Sequence, residues 1–205
     1  MKPTSMLKRF FLAIALIVLP VAASADDAAR AVVEDLQDGI TGIMELTGNS
    51  DFNARVARLC PILDSVMAMQ FQSARTVGAR AWNKWDATQR DRYSEHYRAY
   101  LCALYADRFS ESSGQSFHIV GERPGPRGAL MILTEVRAAG MVPVAIDYVM
   151  RQQDSRWRIV DIFLDGTVSE VALRRSEFSS ILRDKGFDAL LAAMAAKTAA
   201  YADNS

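Results

Sequence analysis

The sequence predicts an α+β protein, a four-stranded antiparallel sheet set between groups of helices, and three observations predict it. Up to about residue 109 the apolar residues recur every three or four positions. From 116 to 164 they recur every second position, and beyond 168 the longer period returns. The turn-rich segments between the alternating runs, at 123–128, 139–140 and 152–155, are short, as a meander of antiparallel strands requires.

The first residues are expected to form a leader. Lys2, Lys8 and Arg9 precede an apolar run over 10–21, and Ala23-Ser24-Ala25 forms a small-x-small cleavage site before Asp26. As a helix that run would rise about 18 Å, short of the ~30 Å hydrocarbon core of a bilayer, so cleavage is expected rather than anchoring. The expectation is a cleavable signal peptide over 1–25 and one domain over 26–205. Removing three cations from 24 basic residues against 24 acidic leaves a net charge of about −3, which argues against nucleic acid as a partner.

Residues 27–47 carry Val32, Val33, Leu36, Ile40, Ile43 and Met44 on one helical face, stopped by Gly48-Asn49. Ser50 or Asp51 then caps a helix over 51–59, and Pro61 opens another with Ile62, Leu63, Val66, Met67 and Met69. Trp82 and Trp85 mark a short aromatic-packed helix. The clearest helix runs over 87–109, with Asp86 and Gln89 spaced as a capping box. Its stripe is Tyr93, Tyr97, Tyr100, Leu101, Leu104, Tyr105 and Phe109. Four tyrosines on a buried face need hydroxyl partners, which fits either a core reaching the rim or the wall of a ligand cavity.

Strands are predicted over 116–122, 129–138, 141–151 and 156–164. The third places Val142, Val144, Ile146, Tyr148 and Met150 on one face. The fourth is apolar on both faces, Trp157, Ile159 and Phe163 against Val160, Ile162 and Leu164, so both faces are at least partly covered. A helix over 168–185 ends at Gly186, and Phe187, Leu190, Leu191 and Met194 line the last one.

Catalytic patterns are absent: no Gly-rich phosphate loop, no nucleophile elbow and no zinc-binding histidine pair. His96 faces off the tyrosine stripe and His118 stands alone in the first strand, so no metal and no cofactor are expected. Asp161 shares its predicted face with Trp157, Ile159 and Phe163, where a carboxylate either bonds a neighbouring backbone or Arg, or acts as a base. Cys60 and Cys102 both lie on predicted helices and bond only if those helices touch.

The run from Trp157 to Gly166, WRIVDIFLDG, then Arg175-Ser176-Glu177-Phe178, then Gly186-Phe187-Asp188-Ala189-Leu190-Leu191, resembles the MlaC or toluene-tolerance family of periplasmic lipid-binding proteins, which serve an ABC transport system. Gly78-Ala79-Arg80-Ala81-Trp82 and the helix end Tyr105-Ala106-Asp107-Arg108-Phe109 fit the same family in order. The segment Thr167-Val168-Ser169-Glu170-Val171-Ala172-Leu173-Arg174 departs from the usual family pattern and looks like the hopanoid-associated HpnM branch. The resemblance implies a curved, NTF2-like sheet packed by helices around an apolar cavity. It implies a non-enzymatic periplasmic carrier of a phospholipid or hopanoid, partnered by an inner- or outer-membrane transport complex. The expected cavity residues are Tyr97, Leu101, Tyr105, Leu130, Ile132, Val144, Ile146, Tyr148, Trp157, Ile159, Phe163, Phe178 and Ile181, and either face of the sheet could be the lipid face. Arg175 is expected to form an ion pair with Asp161 or Asp165. Two other readings remain: an NTF2-like enzyme using Asp161 as base on a small hydrophobic substrate, and a protein-binding adaptor of a membrane complex.

Overall fold

The computed structural model describes residues 25–46, 51–112 and 114–203. The expected leader lies outside the described residues apart from Ala25, and so do the Gly48-Asn49 stop and Ser50. Among the described residues five helices come first: α1 (Ala25–Met44), α2 (Phe52–Val66), α3 (Met69–Val77), α4 (Ala79–Trp82) and α5 (Ala87–Arg108). Strands β1 (Ser116–Pro124), β2 (Leu130–Arg137), β3 (Val144–Gln153), β4 (Arg156–Leu164) and β5 (Val168–Ser169) follow, then helices α6 (Glu170–Lys185) and α7 (Phe187–Asp203). Among the described residues no helix is long and apolar enough to cross a membrane.

The strands lie in chain order and every neighbour pair is antiparallel, which is the expected meander with one strand more than predicted. The extra strand is β5, whose Val168 and Ser169 pair with Leu164 and Phe163. Two residues carry no readable period, so the sequence pattern merged them into the following helix. The turn before them is tight, with Asp165 and Gly166 both at positive φ (50° and 64°). Residues 141–143 precede β3, and Val142 is 85% exposed rather than part of a strand face.

Pro61 does not start a helix; α2 runs through it. Proline costs the carbonyl four residues back, that of Ala57, its usual donor. Ala57 and Pro61 are both exposed, so water can replace the lost bond. Asp51 caps α2 by accepting from the Asn53 amide at 3.2 Å, and Asp86 with Gln89 forms the expected capping box on α5. Cys60 of α2 and Cys102 of α5 are joined by a disulfide, their Cα atoms 5.3 Å apart, so these helices do touch.

β4 carries a bulge. Val149 pairs with Asp161 and Met150 with Ile159, which leaves Val160 as an extra residue. The alternation therefore changes phase in mid-strand: Trp157, Ile159, Ile162 and Leu164 pack with the helices, while Val160 and Phe163 belong to the opposite face. This corrects the expectation that Asp161 and Phe163 share a face with Trp157 and Ile159. The Ile159 carbonyl, beside the bulge, accepts from the Ala68 amide at 2.9 Å and from Gln72 Nε2 at 3.0 Å, tying the α2–α3 junction to the sheet.

Two apolar layers result. The larger lies between the sheet and the helices, and includes Leu36, Ile40, Leu63, Tyr97, Leu101, Phe178 and Leu190 with Ile132, Tyr148, Met150 and Ile159. The smaller lies on the opposite face: Ala68, Ala129, Met131, Val149 and Val160, with Phe71, Leu133 and Phe163 against them.

Candidate functional site

The opposite face of the sheet carries a cleft of about 400 Å³, within the range of roughly 300–1,000 Å³ usual for ligand sites. Four elements build it from simple spacings. Phe71 and Arg75 are one turn apart on α3, and Val149 and Arg151 are two apart on β3. The bulge brings Val160, Asp161 and Phe163 of β4 into it, and the first turns of α6 add Val171, Ala172 and Arg175. The 3₁₀ turn Pro126–Gly128 closes one end with Pro126 and Arg127. The floor is thus apolar and the rim carries four arginines.

Each rim arginine is placed by something other than a carboxylate. Arg151 Nη2 donates to the Arg127 carbonyl at 2.6 Å. Arg127 itself sits at φ 56°, the left-handed region that costs a side-chain-bearing residue about 1–2 kcal/mol. Arg75 lies over the Phe71 ring at 5.8 Å. Arg175 runs beneath Gly78, where a Cβ would meet its Nη2 at 3.2 Å. Gly78 adopts φ 82° at the α3–α4 joint, so both its conformation and its lack of a side chain make room for that arginine.

Asp161 lines the cleft, and its oxygens are occupied. Oδ1 accepts from the Ile162 and Val171 amides at 2.8 and 3.1 Å, and Oδ2 from Ser169 Oγ at 2.6 Å. Ser169 Oγ in turn accepts from the Ala172 amide at 2.9 Å. Together they cap α6 and hold its N-terminus on β4. Among the described residues Arg175 makes no ion pair with Asp161 or Asp165; the ion pairs here are those of Glu170, with Arg174 Nη2 at 2.9 Å from Oε2 and Arg108 Nη1 at 2.7 Å from Oε1. Burial alone would raise the Glu170 pKa, but the two guanidiniums outweigh it and hold the carboxyl below its ordinary value.

Behind Val171 a small void of about 10 Å³ lies among Met67, Gln72, Leu101, Tyr105, Ile162, Glu170 and Arg174. Val171 lines both this void and the cleft, so it is the wall between them. Among the described residues Arg174 Nε, buried at this void, has no hydrogen-bond partner.

The thirteen residues expected to line a cavity separate by the phase of the sheet. Phe163 lines the cleft. Leu101 and Tyr105 line the small void. Tyr97, Ile132, Tyr148, Ile159 and Phe178 are buried in the helix–sheet core, and Leu130, Ile146, Trp157 and Ile181 are half-buried against it. Val144 is 45% exposed at the start of β3. Two hydroxyls of the α5 stripe have side-chain partners: Tyr93 Oη lies 2.7 Å from Thr76 Oγ1, and Tyr97 Oη donates to Gln72 Oε1 at 3.4 Å. Burial pushes the phenols of Tyr97 and Tyr148 well up.

Sequence reasoning missed Phe71, Arg75, Arg127, Val149, Arg151 and Val171. The doubly apolar β4 was the available signal, since a second covered face needs a second set of residues opposite it. His96 Nδ1 lies 2.9 Å from the Arg92 carbonyl and His118 Nε2 2.9 Å from Ser116 Oγ. Among the described residues no three His, Cys, Asp or Glu side chains cluster as a metal site would need.

A family model for the MlaC protein matches residues 29–196. Among solved structures, a phospholipid-binding protein from Ralstonia solanacearum, determined in complex with a phospholipid, aligns with a TM-score of 0.70 at 18% identity. The alignment covers 88% of this chain and 99% of that one, and at such identity the likeness carries the fold.

Proposed function

This chain belongs to the MlaC protein family, and we propose from that premise that it is an exported carrier which holds a lipid by its acyl chains and shuttles it between membrane transport components. The observation that carries the reading is the cleft: an apolar floor of Phe71, Val149, Val160 and Phe163 under a rim of arginines. Such a site suits an amphiphile, with chains on the floor and a polar head at the rim. The fold shared with the Ralstonia solanacearum phospholipid-binding protein supports the same reading.

Water is the barrier that a carrier removes. An acyl chain in water costs about 0.8 kcal/mol per CH₂, so a sixteen-carbon chain costs on the order of 12 kcal/mol. Contacts with apolar side chains replace that cost. The cleft alone is small for two chains. Movement of α6 at Val171 would join it to the void beside Leu101 and Tyr105, so that these two and Phe163 would line one space. The reading includes a leader removed before Asp26, a periplasmic location and, for the HpnM-like segment at 167–174, a hopanoid as an alternative cargo. Binding rather than catalysis is proposed, and the occupied oxygens of Asp161 support that choice.

Native mass spectrometry of protein purified from its own host, followed by lipid extraction, tests the proposal. The expected result is a lipid-sized mass adduct. Ala172 is exposed on α6 and lines the cleft, so Ala172→Trp should fill the site from outside. An unchanged urea midpoint with the adduct lost supports the cleft as the site. Protein that carries no lipid, and takes none from vesicles, overturns the carrier reading.

A further inference from the structure

The cleft's charge is one-sided. Arg75, Arg127, Arg151 and Arg175 converge on it from α3, the 3₁₀ turn, β3 and α6. Among the described residues none of the four pairs with a carboxylate. The one acid in the lining, Asp161, spends its oxygens on two amides and a serine. The N-terminus of α6 is likewise closed by its own Asp161 and Ser169 bonds, so anion recognition there falls to the guanidiniums.

We infer that the four arginines form a headgroup clamp that selects lipids with a net anionic, phosphate-bearing head over zwitterionic ones of the same chains. The inference rests on the lipid-carrier reading and deepens it. Guanidinium groups present paired N–H donors that match phosphate oxygens, and charge-assisted bonds of this kind are the stronger class. A zwitterionic head brings an ammonium into the same field and loses part of that attraction. Arg151 is pre-set by the Arg127 carbonyl, so less of its side-chain freedom remains to be lost on binding, and the space left by Gly78 admits Arg175. The apolar floor makes the source of the phosphate a lipid rather than free phosphate, which would leave Phe71, Val149 and Phe163 uncovered. Electrostatic attraction of the whole chain does not explain a preference for anions, because the net charge expected after leader removal is negative.

The test uses the mature chain and one kind of vesicle, phosphatidylcholine carrying a minor fraction of phosphatidylglycerol with the same acyl chains. A single vesicle type holds the surface potential constant for both lipids. Protein is incubated with the vesicles, separated and extracted, and the ratio of the two lipids is read by mass spectrometry. The expected ratio exceeds that of the vesicle by about tenfold at low salt and falls as salt is raised. Arg75→Gln with Arg175→Gln should bring the ratio close to the vesicle's own, with an unchanged urea midpoint as the folding control. Arg80→Gln, exposed and outside the cleft, should leave the ratio as it is. Lipid bound at the vesicle's ratio by the unmodified protein overturns the clamp and leaves the carrier reading intact. So does protein from its own host loaded with a lipid lacking phosphate. No lipid of either kind in the extract overturns the carrier reading itself.

Discussion

Replacing Arg174 by methionine isolates the buried charge network that lies behind the cleft. Glu170 and Arg174 are 4% and 6% exposed and meet at 2.9 Å, and Arg108 joins from α5 at 2.7 Å. Removing one partner of a buried pair costs about 3–5 kcal/mol because the other charge is left uncompensated. Here Glu170 keeps Arg108, whose side chain is 39% exposed, so the loss should fall near the lower end, about 3 kcal/mol. For a domain of this size that is roughly 6–12 °C in Tm. The assay is urea unfolding of the oxidised protein with unchanged slope. The Arg174→Met, Glu170→Leu double variant should recover much of the loss, since a buried pair exchanged for apolar groups is often neutral. The pH dependence has a definite sign. With its folded-state pKa below the unfolded value, Glu170 contributes stability above that unfolded value, and the contribution disappears as pH falls through the folded one. In the single variant the Arg174 attraction is gone and burial still opposes the charge. The penalty should therefore shrink on acidification as Glu170 binds a proton. A loss below about 1 kcal/mol at neutral pH, the scale of a surface pair, or a penalty that grows as pH falls, would refute the reasoning.

Two further outcomes follow from the described contacts. Cys60→Ser with Cys102→Ser releases a constraint spanning 42 residues, for which the chain-entropy account gives about 4 kcal/mol of lost stability; a urea midpoint unchanged by the pair of substitutions would count against it. Asp161→Ala strips the Oδ1 bond from the Val171 amide and should cost about 1–2 kcal/mol, with faster hydrogen exchange at Val171; exchange unchanged at that amide would mean that α6 is held by other contacts.

The sequence pattern reached the class of fold because each large element carries its own period. The stripe of α5 and its capping box are local signals, and both stand as read. Three features escaped it, each for a physical reason. Pro61 breaks a helix only where the lost bond has no substitute, and exposure of that turn supplies one. β5 is too short to show alternation. The bulge at Val160 changes no residue type; it changes only which way the following side chains point. That last point moved the candidate site. Plain alternation groups Phe163 with Trp157 and Ile159, but it lies on the cleft side, whereas the arginines of the rim come from four separate elements with no shared spacing. Arg174 rather than Arg175 makes the ion pair because Arg174 and Glu170 share one buried helix face, while Arg175 points beneath Gly78. The disulfide depended on whether α2 and α5 touch, a tertiary fact that neither helix states alone.

The bulge also fixes β4 along its own axis. An unbroken strand can slip by two residues and still present the same faces, since its period is two. A bulge removes that freedom, because the kink and added twist at Val160 fit one place on β3, between Val149 and Met150, and a slip would carry them away from it. On the proposed carrier reading, cargo pressing on Val160 and Phe163 would meet a floor held against sliding over the core beneath it, and yielding would be left to the helices at its edge.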